Sequence, residues 1–223
     1  MRPPAPLLHR DDPDKAPLVG HVKVTREDWL NVARDILVRD GVGEVKILPI
    51  SQRLDVSRSS FYWYFKSRGD LLSALLEEWE SRNTASIVDR CAMPAETITG
   101  AVCHFFRCFI DPELFDQGMD FAVREWARRD DDVRDRVDAA DQARLAALTE
   151  MYLRHDYAPD EADIRARVLY YMQLGYHALD VQEPMEERST RLAGYLLSFT
   201  GRPPRPEEVE ESNAFAMQVT RGQ

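Results

Sequence analysis

The sequence predicts an all-α protein with an N-terminal three-helix helix-turn-helix unit and a larger C-terminal helical domain. Three observations carry this. Apolar residues recur at intervals of three and four along most of the chain from Thr25 onward, the spacing that lines one face of a helix. No stretch alternates apolar and polar residues long enough to make a strand, and no hairpin signal is present. Pro94, Pro112 and Pro184, with Gly41 and Gly201, cut the pattern into helix-sized pieces. With 223 residues, 44% of them hydrophobic and only 10 glycines, the chain can bury a core as one domain or two modest ones. Chain-wide disorder and collagen-like repeats are excluded.

Residues 1–24 mix prolines with Asp, Arg and His and have no apolar period, so a flexible arm is expected. Thr25 is placed to cap a first helix whose stripe is Trp29, Val32, Ala33, Ile36 and Leu37, with Gly41 as its stop. Ile47, Ile50 and Leu54 mark a second short helix over about 48–54, in which Pro49 falls in the first turn, where a missing N–H costs little. Asp55 and Val56 make a turn. Ser57 then caps a third short helix carrying Arg58, Ser59, Ser60, Phe61, Tyr62, Trp63, Tyr64 and Phe65. Leu71, Leu72, Leu75, Leu76 and Trp79 open a long fourth helix. Further stripes lie at Ile98–Phe109, Phe115–Trp126, Val137–Tyr152, Pro159–Val181 and Pro184–Gly201, for about nine helices in all. The expected divisions are an arm (1–24), a helix-turn-helix domain (25–70), a helical domain (71–201) and a polar tail (202–223).

The net charge of −10 argues at first against a nucleic-acid partner, but its distribution matters more. Between Lys46 and Arg68 there are five positive residues and one acid, whereas residues 71–223 carry 17 basic and 29 acidic residues. An acidic body with one basic patch is what a nucleic-acid-binding head on another kind of module looks like. No apolar run approaches the ~20 residues of a membrane span, and the prolines after Met1 leave no room for a signal sequence. A cytoplasmic protein is expected. Cys91, Cys103 and Cys108 are an odd number in a chain too large to need staples, so reduced thiols are expected.

The segment from Val56 to Leu72 carries the chemistry. Hydroxyls and Arg58 at a helix start can reach base edges, while Tyr62, Tyr64, Lys66 and Arg68 can donate to phosphates beside a groove. Phe61 and Phe65, four apart, would pack the short helix onto the first two. The run from Thr25 to Leu72 resembles the DNA-binding domain of the tetracycline-repressor (TetR) family of bacterial transcriptional regulators. The resemblance rests on Val56-Ser57, on Tyr62 to Phe65, and on Arg68 before Asp70-Leu71, and it covers about a fifth of the chain. It implies base contacts from Arg58, Ser59, Ser60 and Trp63, with Ser57 opening the helix, and phosphate contacts from Tyr62, Tyr64, Lys66 and Arg68. Three positions depart from the family pattern: Lys46 replaces a capping Thr or Ser, Ser51 a small apolar residue, and Asp55 the turn Gly. Lys46 can still meet a phosphate as a point charge, and Asp tolerates a left-handed turn.

The resemblance further implies a double-stranded operator, a small-molecule effector and a homodimer, with no cofactor, metal or membrane. An effector pocket is expected among Trp79, His104, Phe105, Phe109, Phe121, Trp126, Tyr152, Tyr171, Gln173 and Tyr176, a group of aromatics with a few polar points. Any single one of these is better explained by core packing, and the pocket is expected only from the group together and the resemblance. Val168–Leu179 has almost no polar face, which reads as a helix buried on all sides. The family pairs its last two helices across a two-fold axis, so Val168, Met172, Gly175, Leu179, Leu192, Tyr195, Leu196 and Phe199 are the expected interface. His104 and Cys108 share a helix face, but two ligands make no zinc site. The charged run from Arg124 to Asp138 reads as a solvated face. Against an enzyme, the chain has no Gly-x-Ser-x-Gly, no phosphate loop and no His-Glu-x-x-His, and Gly41-Val42-Gly43 lacks the third glycine of a dinucleotide motif. The function these readings imply is a repressor released from a palindromic operator by a small molecule. The alternatives left open are a regulator of the same fold that answers to a protein partner or to nothing, and a motif-less helical enzyme.

Overall fold

The computed structural model describes residues 24–179, 181 and 183–221, and over these the chain is all-α. The expected arm, with Arg10, Lys15 and Lys23, lies outside the described residues except for Val24. Helix α1 (Arg26–Asp40) opens on a reciprocal cap: Thr25 accepts from the Asp28 amide, and Asp28 accepts from the Thr25 amide. It stops at Gly41, whose φ of 82° suits a residue without a side chain. Helix α2 (Ile47–Arg53) follows, then a six-residue 3₁₀ turn of helix, Arg58–Trp63. Helix α3 (Arg68–Trp79) passes through a π turn, Glu80–Thr84, directly into α4 (Ala85–Ala92). The remaining helices are α5 (Ile98–Ile110), α6 (Gln117–Ala127), α7 (Asp131–Leu153), α8 (Pro159–Ala178), α9 (Met185–Thr200) and α10 (Pro206–Arg221).

Two apolar cores divide the molecule. The first gathers Trp29, Ile36, Ile50, Phe61, Phe65, Leu71, Leu75 and Trp79 from the head, and also Met119, Val123 and Trp126 of α6 and Val133, Val137 and Ala140 of α7. The second joins Ile87, Phe105, Phe109, Leu148, Tyr152, Leu169, Tyr170, Leu196 and Phe199. The head therefore does not close at residue 70, because the small apolar face of α1 to α3 is completed by α6 and the start of α7. Residues 202–223, expected as a polar tail, instead contain α10, which buries Ser212 and Ala216 and lies against α5 and α9. Its pattern is apolar at few positions, so periodicity alone under-reads it.

Between the cores lies a buried polar cluster. Arg144 of α7 has no exposed side-chain surface. It donates to Asp120 (3.0 Å), to the Tyr170 hydroxyl (3.2 Å) and to Thr84 (3.1 Å). Asp120 also accepts from the Trp79 indole at 2.8 Å and from Arg124 at 2.8 Å. Arg124 grips Asp141 with two bonds of 2.8 and 2.6 Å, and Tyr170 donates to Asp141 at 2.6 Å. Burial alone would raise the Asp120 carboxyl, but Arg144 and Arg124 beside it hold it below the usual carboxylate range. Arg124, expected on a solvated face, is thus part of the interior. The Arg144 guanidinium lies over the rings of Trp79 and Phe115, at 5.2 and 5.6 Å.

Candidate nucleic-acid interface

A short segment can present side chains precisely only if its own aromatic residues are locked. Phe61 is fully buried, edge-on to Trp29 at 5.3 Å and stacked on Phe65 at 5.3 Å. Asp55 adopts the left-handed conformation, φ 53°, expected of the turn. That bend lets the Val56 amide return to the Ser51 carbonyl at 3.0 Å. Ser51, the departure from a small apolar residue, is buried with its hydroxyl on the Leu48 carbonyl.

The third helix is wound as 3₁₀ rather than α, and Ser57 does not cap it. The Ser57 hydroxyl meets that of Ser59 at 2.7 Å, while both the amide and the hydroxyl of Ser60 bond the Ser57 carbonyl. Serine hydroxyls that compete for local backbone groups favour such a tight turn.

The segment presents Arg58, Ser59, Tyr62, Trp63 and Lys66 to solvent. Trp63 is 80% exposed and Tyr62 61% exposed, and large rings left in water mark a contact surface. Ser57 is exposed and Ser60 half-buried on the same edge. Lys46 is exposed and paired with Glu44 at 3.1 Å. Tyr64 and Arg68, expected on phosphates, are used internally. The Tyr64 hydroxyl donates to the Val24 carbonyl at 2.6 Å. Arg68 donates to the carbonyls of Val45 (2.6 Å) and Val42 (2.5 Å). They fasten the segment to the start of α1 and to the loop before α2, where unpaired carbonyls would otherwise need water.

The ten residues expected to wall an effector pocket do not converge. Trp79 and Trp126 belong to the first core, where their indoles donate to Asp120 and Asp130. Phe105 and Tyr152 are buried in the second core. Phe121 and Tyr171 are exposed, Tyr176 bonds Glu183 at 2.6 Å, and His104 is half-buried beside α10. Phe109 and Gln173 alone among the ten border a cleft between α5, α8, α9 and α10, with Ser189, Leu192 and Ala216. Helical spacing gives each residue a face, not the neighbour which that face meets.

Of the expected interface residues, Leu196 and Phe199 are buried in the second core, and Leu192 and Tyr195 pack against it. Val168 and Leu179 are exposed, 54% and 78%, so α8 is not buried on every side within one chain. Ile164, Val168, Gly175 and Leu179 form an outward stripe along it, and a Cβ at Gly175 would meet nothing within 4 Å. All three cysteines are buried free thiols. Burial pushes the Cys103 thiol up to about 11 and that of Cys108 up to about 12. Among the described residues no group of three or more His, Cys, Asp or Glu is placed to hold a metal, and no helix is long and apolar enough to cross a membrane.

Residues 30–75 match the family model described as bacterial regulatory proteins, tetR family. No curated protein matches the chain. Among solved structures, GusR of Salmonella enterica is 14% identical with a TM-score of 0.54, covering 88% of this chain and 95% of its own. AmtR of Mycobacterium smegmatis is 15% identical with a TM-score of 0.57, covering 89% and 96%. At these identities the likeness is one of fold, and it extends over both cores. The head is thus similar in sequence to the bacterial regulatory proteins of the tetR family over residues 30–75, and the whole chain shares the fold of these solved structures.

Proposed function

We propose that the chain is a homodimeric repressor that leaves a near-palindromic operator when a small molecule binds its helical body. The observation that carries the reading is the exposed edge of Arg58, Ser59, Tyr62, Trp63 and Lys66 on a segment whose Phe61 and Phe65 are locked in the core. A rigid element offering a cation, hydroxyls and bare aromatic rings suits a major groove, with Arg58 and Ser59 toward bases and Tyr62 and Lys66 toward phosphates. The outward apolar stripe of α8, with Leu197 of α9 exposed beside it, supports pairing of two copies. The two recognition segments would then meet half-sites about 34–36 Å apart. The head reaches the body through the unbroken α3–α4 helix and through the Asp120–Arg144 cluster, so a shift in either can change the spacing of the two heads at a coupling of about 1–3 kcal/mol.

Fluorescence-anisotropy titration against the chain's own upstream DNA and a scrambled duplex, at several salt concentrations, tests this. Preference for the native duplex by ~10³-fold or more is expected. If Tyr62→Ala and Lys66→Ala both leave affinity and its salt slope unchanged, the assigned edge is wrong.

A further inference from the structure

The cleft bordered by α5, α8, α9 and α10 has features that core packing does not require. Its walls are mostly apolar, from Phe106, Phe109 and Ile110 of α5 to Leu192 of α9 and Ala216 of α10. Five polar residues interrupt them, Gln173, Arg188, Ser189, Ser212 and Asn213, and two of these bear most directly on a ligand. Gln173 is buried, 3% exposed, yet stands in an apolar wall, and its amide bonds the His177 ring at 2.8 Å. The Ser189 hydroxyl is buried and has no hydrogen-bond partner among the described residues. A buried hydroxyl without a partner costs about 1–3 kcal/mol, so an orphan beside a cleft is a place kept for a visiting group.

The cation of the lining, Arg188, has its guanidinium over the Tyr176 ring at 4.8 Å, and His177 backs the wall behind Gln173. His177 packs between Phe109 and Phe115, with ring centroids at 5.2 and 6.2 Å. Burial pushes it down to about 4, with Asp120 opposing that shift and Arg188 adding to it. At neutral pH the imidazole is uncharged, and the Gln173–His177 pair offers neutral hydrogen bonding only.

The space between these walls is about 70 Å³, less than the ~150 Å³ of an apolar cavity that takes up benzene. A molecule of that size is fully enclosed only if a wall moves. The wall least rooted in the core is α10, in which only Ser212 and Ala216 are buried. It is held instead at its rim. Glu208 accepts from the hydroxyls of Thr97 and, at 2.6 Å, of Thr99 at the start of α5. Arg107 pairs with Glu211 at 2.5 Å and lies over the Phe215 ring at 4.9 Å, and Arg205 pairs with Glu96 at 2.6 Å. The Arg205–Glu96 pair is exposed and adds little, whereas Glu208 is half-buried against the buried Thr99, which makes it the latch that holds the helix down.

We infer that this cleft binds an uncharged, largely apolar molecule bearing one hydrogen-bonding oxygen, to which the Ser189 hydroxyl and the Gln173 amide donate, and that α10 is the gate through which it enters. The inference deepens the ligand response proposed above and rests on it for biological meaning, but not for its test.

The probe is prodan, an uncharged naphthyl ketone whose emission shifts to the blue on leaving water, titrated into the full chain. Saturable, blue-shifted binding is expected. Ala216→Trp, which fills the cleft, should weaken it by about tenfold or more, equivalent to about 1.4 kcal/mol. Ser189→Ala, which leaves the fold undisturbed, should weaken it by about fivefold, the worth of one hydrogen bond. Glu208→Gln, by loosening the latch, should speed association in stopped flow by about threefold or more. Absence of saturable binding, or binding indifferent to both Ala216→Trp and Ser189→Ala, overturns the site. An unchanged association rate in Glu208→Gln overturns the gate, and stronger binding of the anionic probe anilinonaphthalene sulfonate overturns the ligand class. Prodan binding that responds to the variants while operator affinity stays constant upholds the site and counts against effector control. Release of DNA by prodan that survives both cleft variants upholds effector control and overturns this location.

Discussion

The two polar regions of the molecule use similar side chains for opposite ends. At the head, the side chains of Arg58, Ser59, Tyr62 and Lys66 stand in solvent and make no ion pair among the described residues, although the Lys66 amide donates to Asp70 at 2.8 Å. Between the cores, Arg124, Arg144, Asp120, Asp141 and Tyr170 are closed on one another. Charge type does not separate them. What separates them is whether the local stripe of apolar residues turns the side chain inward, where a partner is obligatory, or outward, where a partner can come from another molecule.

The comparison is broken most sharply by Asp120→Ala. It leaves two arginines and an indole facing a vacated site, and stability should fall by about 3–5 kcal/mol, read by urea denaturation. A loss below about 1 kcal/mol would mean that water reaches the cluster. At the head, Arg58→Ala should reduce discrimination between native and altered operator by about 1–3 kcal/mol in anisotropy titrations. Its denaturation midpoint should move within the ±0.5 kcal/mol typical of surface changes. A stability loss there would show that Arg58 belongs to the fold.

Acid sharpens the same contrast. The folded pKa of His177, about 4, lies below the ~6.5 of an unfolded histidine, so the unfolded chain binds more protons between these values. The stability this group contributes is therefore complete above pH 6.5 and is lost as pH falls toward 4, by up to about 1.4 kcal/mol per pH unit. Denaturation of the parent and of His177→Gln across pH 4–7 checks it, the variant being expected to show the shallower slope. The smallest effect separates the two classes of head residue. Tyr64→Phe should cost about 1 kcal/mol of stability and leave the salt slope of DNA binding alone, whereas Lys66→Ala should reduce that slope by about 1 and leave stability alone.

Much of this was legible from the residues. The capping Thr25, the stop at Gly41, the left-handed turn at Asp55 and the anchoring pair Phe61 and Phe65 each follow from local chemistry, and each is present. Tyr64 and Arg68, expected on phosphates, hydrogen-bond carbonyls of the head, because a basic or phenolic residue near a recognition element is equally suited to a neighbouring carbonyl. Only the fold brings Val24, Val42 and Val45 within reach. The expected pocket dispersed because helical period gives a face but not which neighbour that face meets. The Asp120–Arg144 cluster was missed, although a signal existed. Arg144 falls in the stripe Ala140, Arg144, Leu148, where an apolar residue is due, and a charge in a buried stripe requires a partner.

The helix that joins head to body hides Leu71, Leu75, Trp79, Asn83, Ile87 and Cys91, all with at most 1% of their surface exposed. A strict interval of four drifts by about 40° per step around an ideal α-helix, and by about 200° over five steps, so the last of these residues would point away from the first. The π turn at Glu80–Thr84 holds one extra residue and takes back about 100° of that drift. It acts as a phase corrector on a rotating shaft. The rest of the drift carries the buried line from the first core to the second, so removing one residue from this turn would twist the exposed edge of the head about the helix axis without touching any residue proposed to meet DNA.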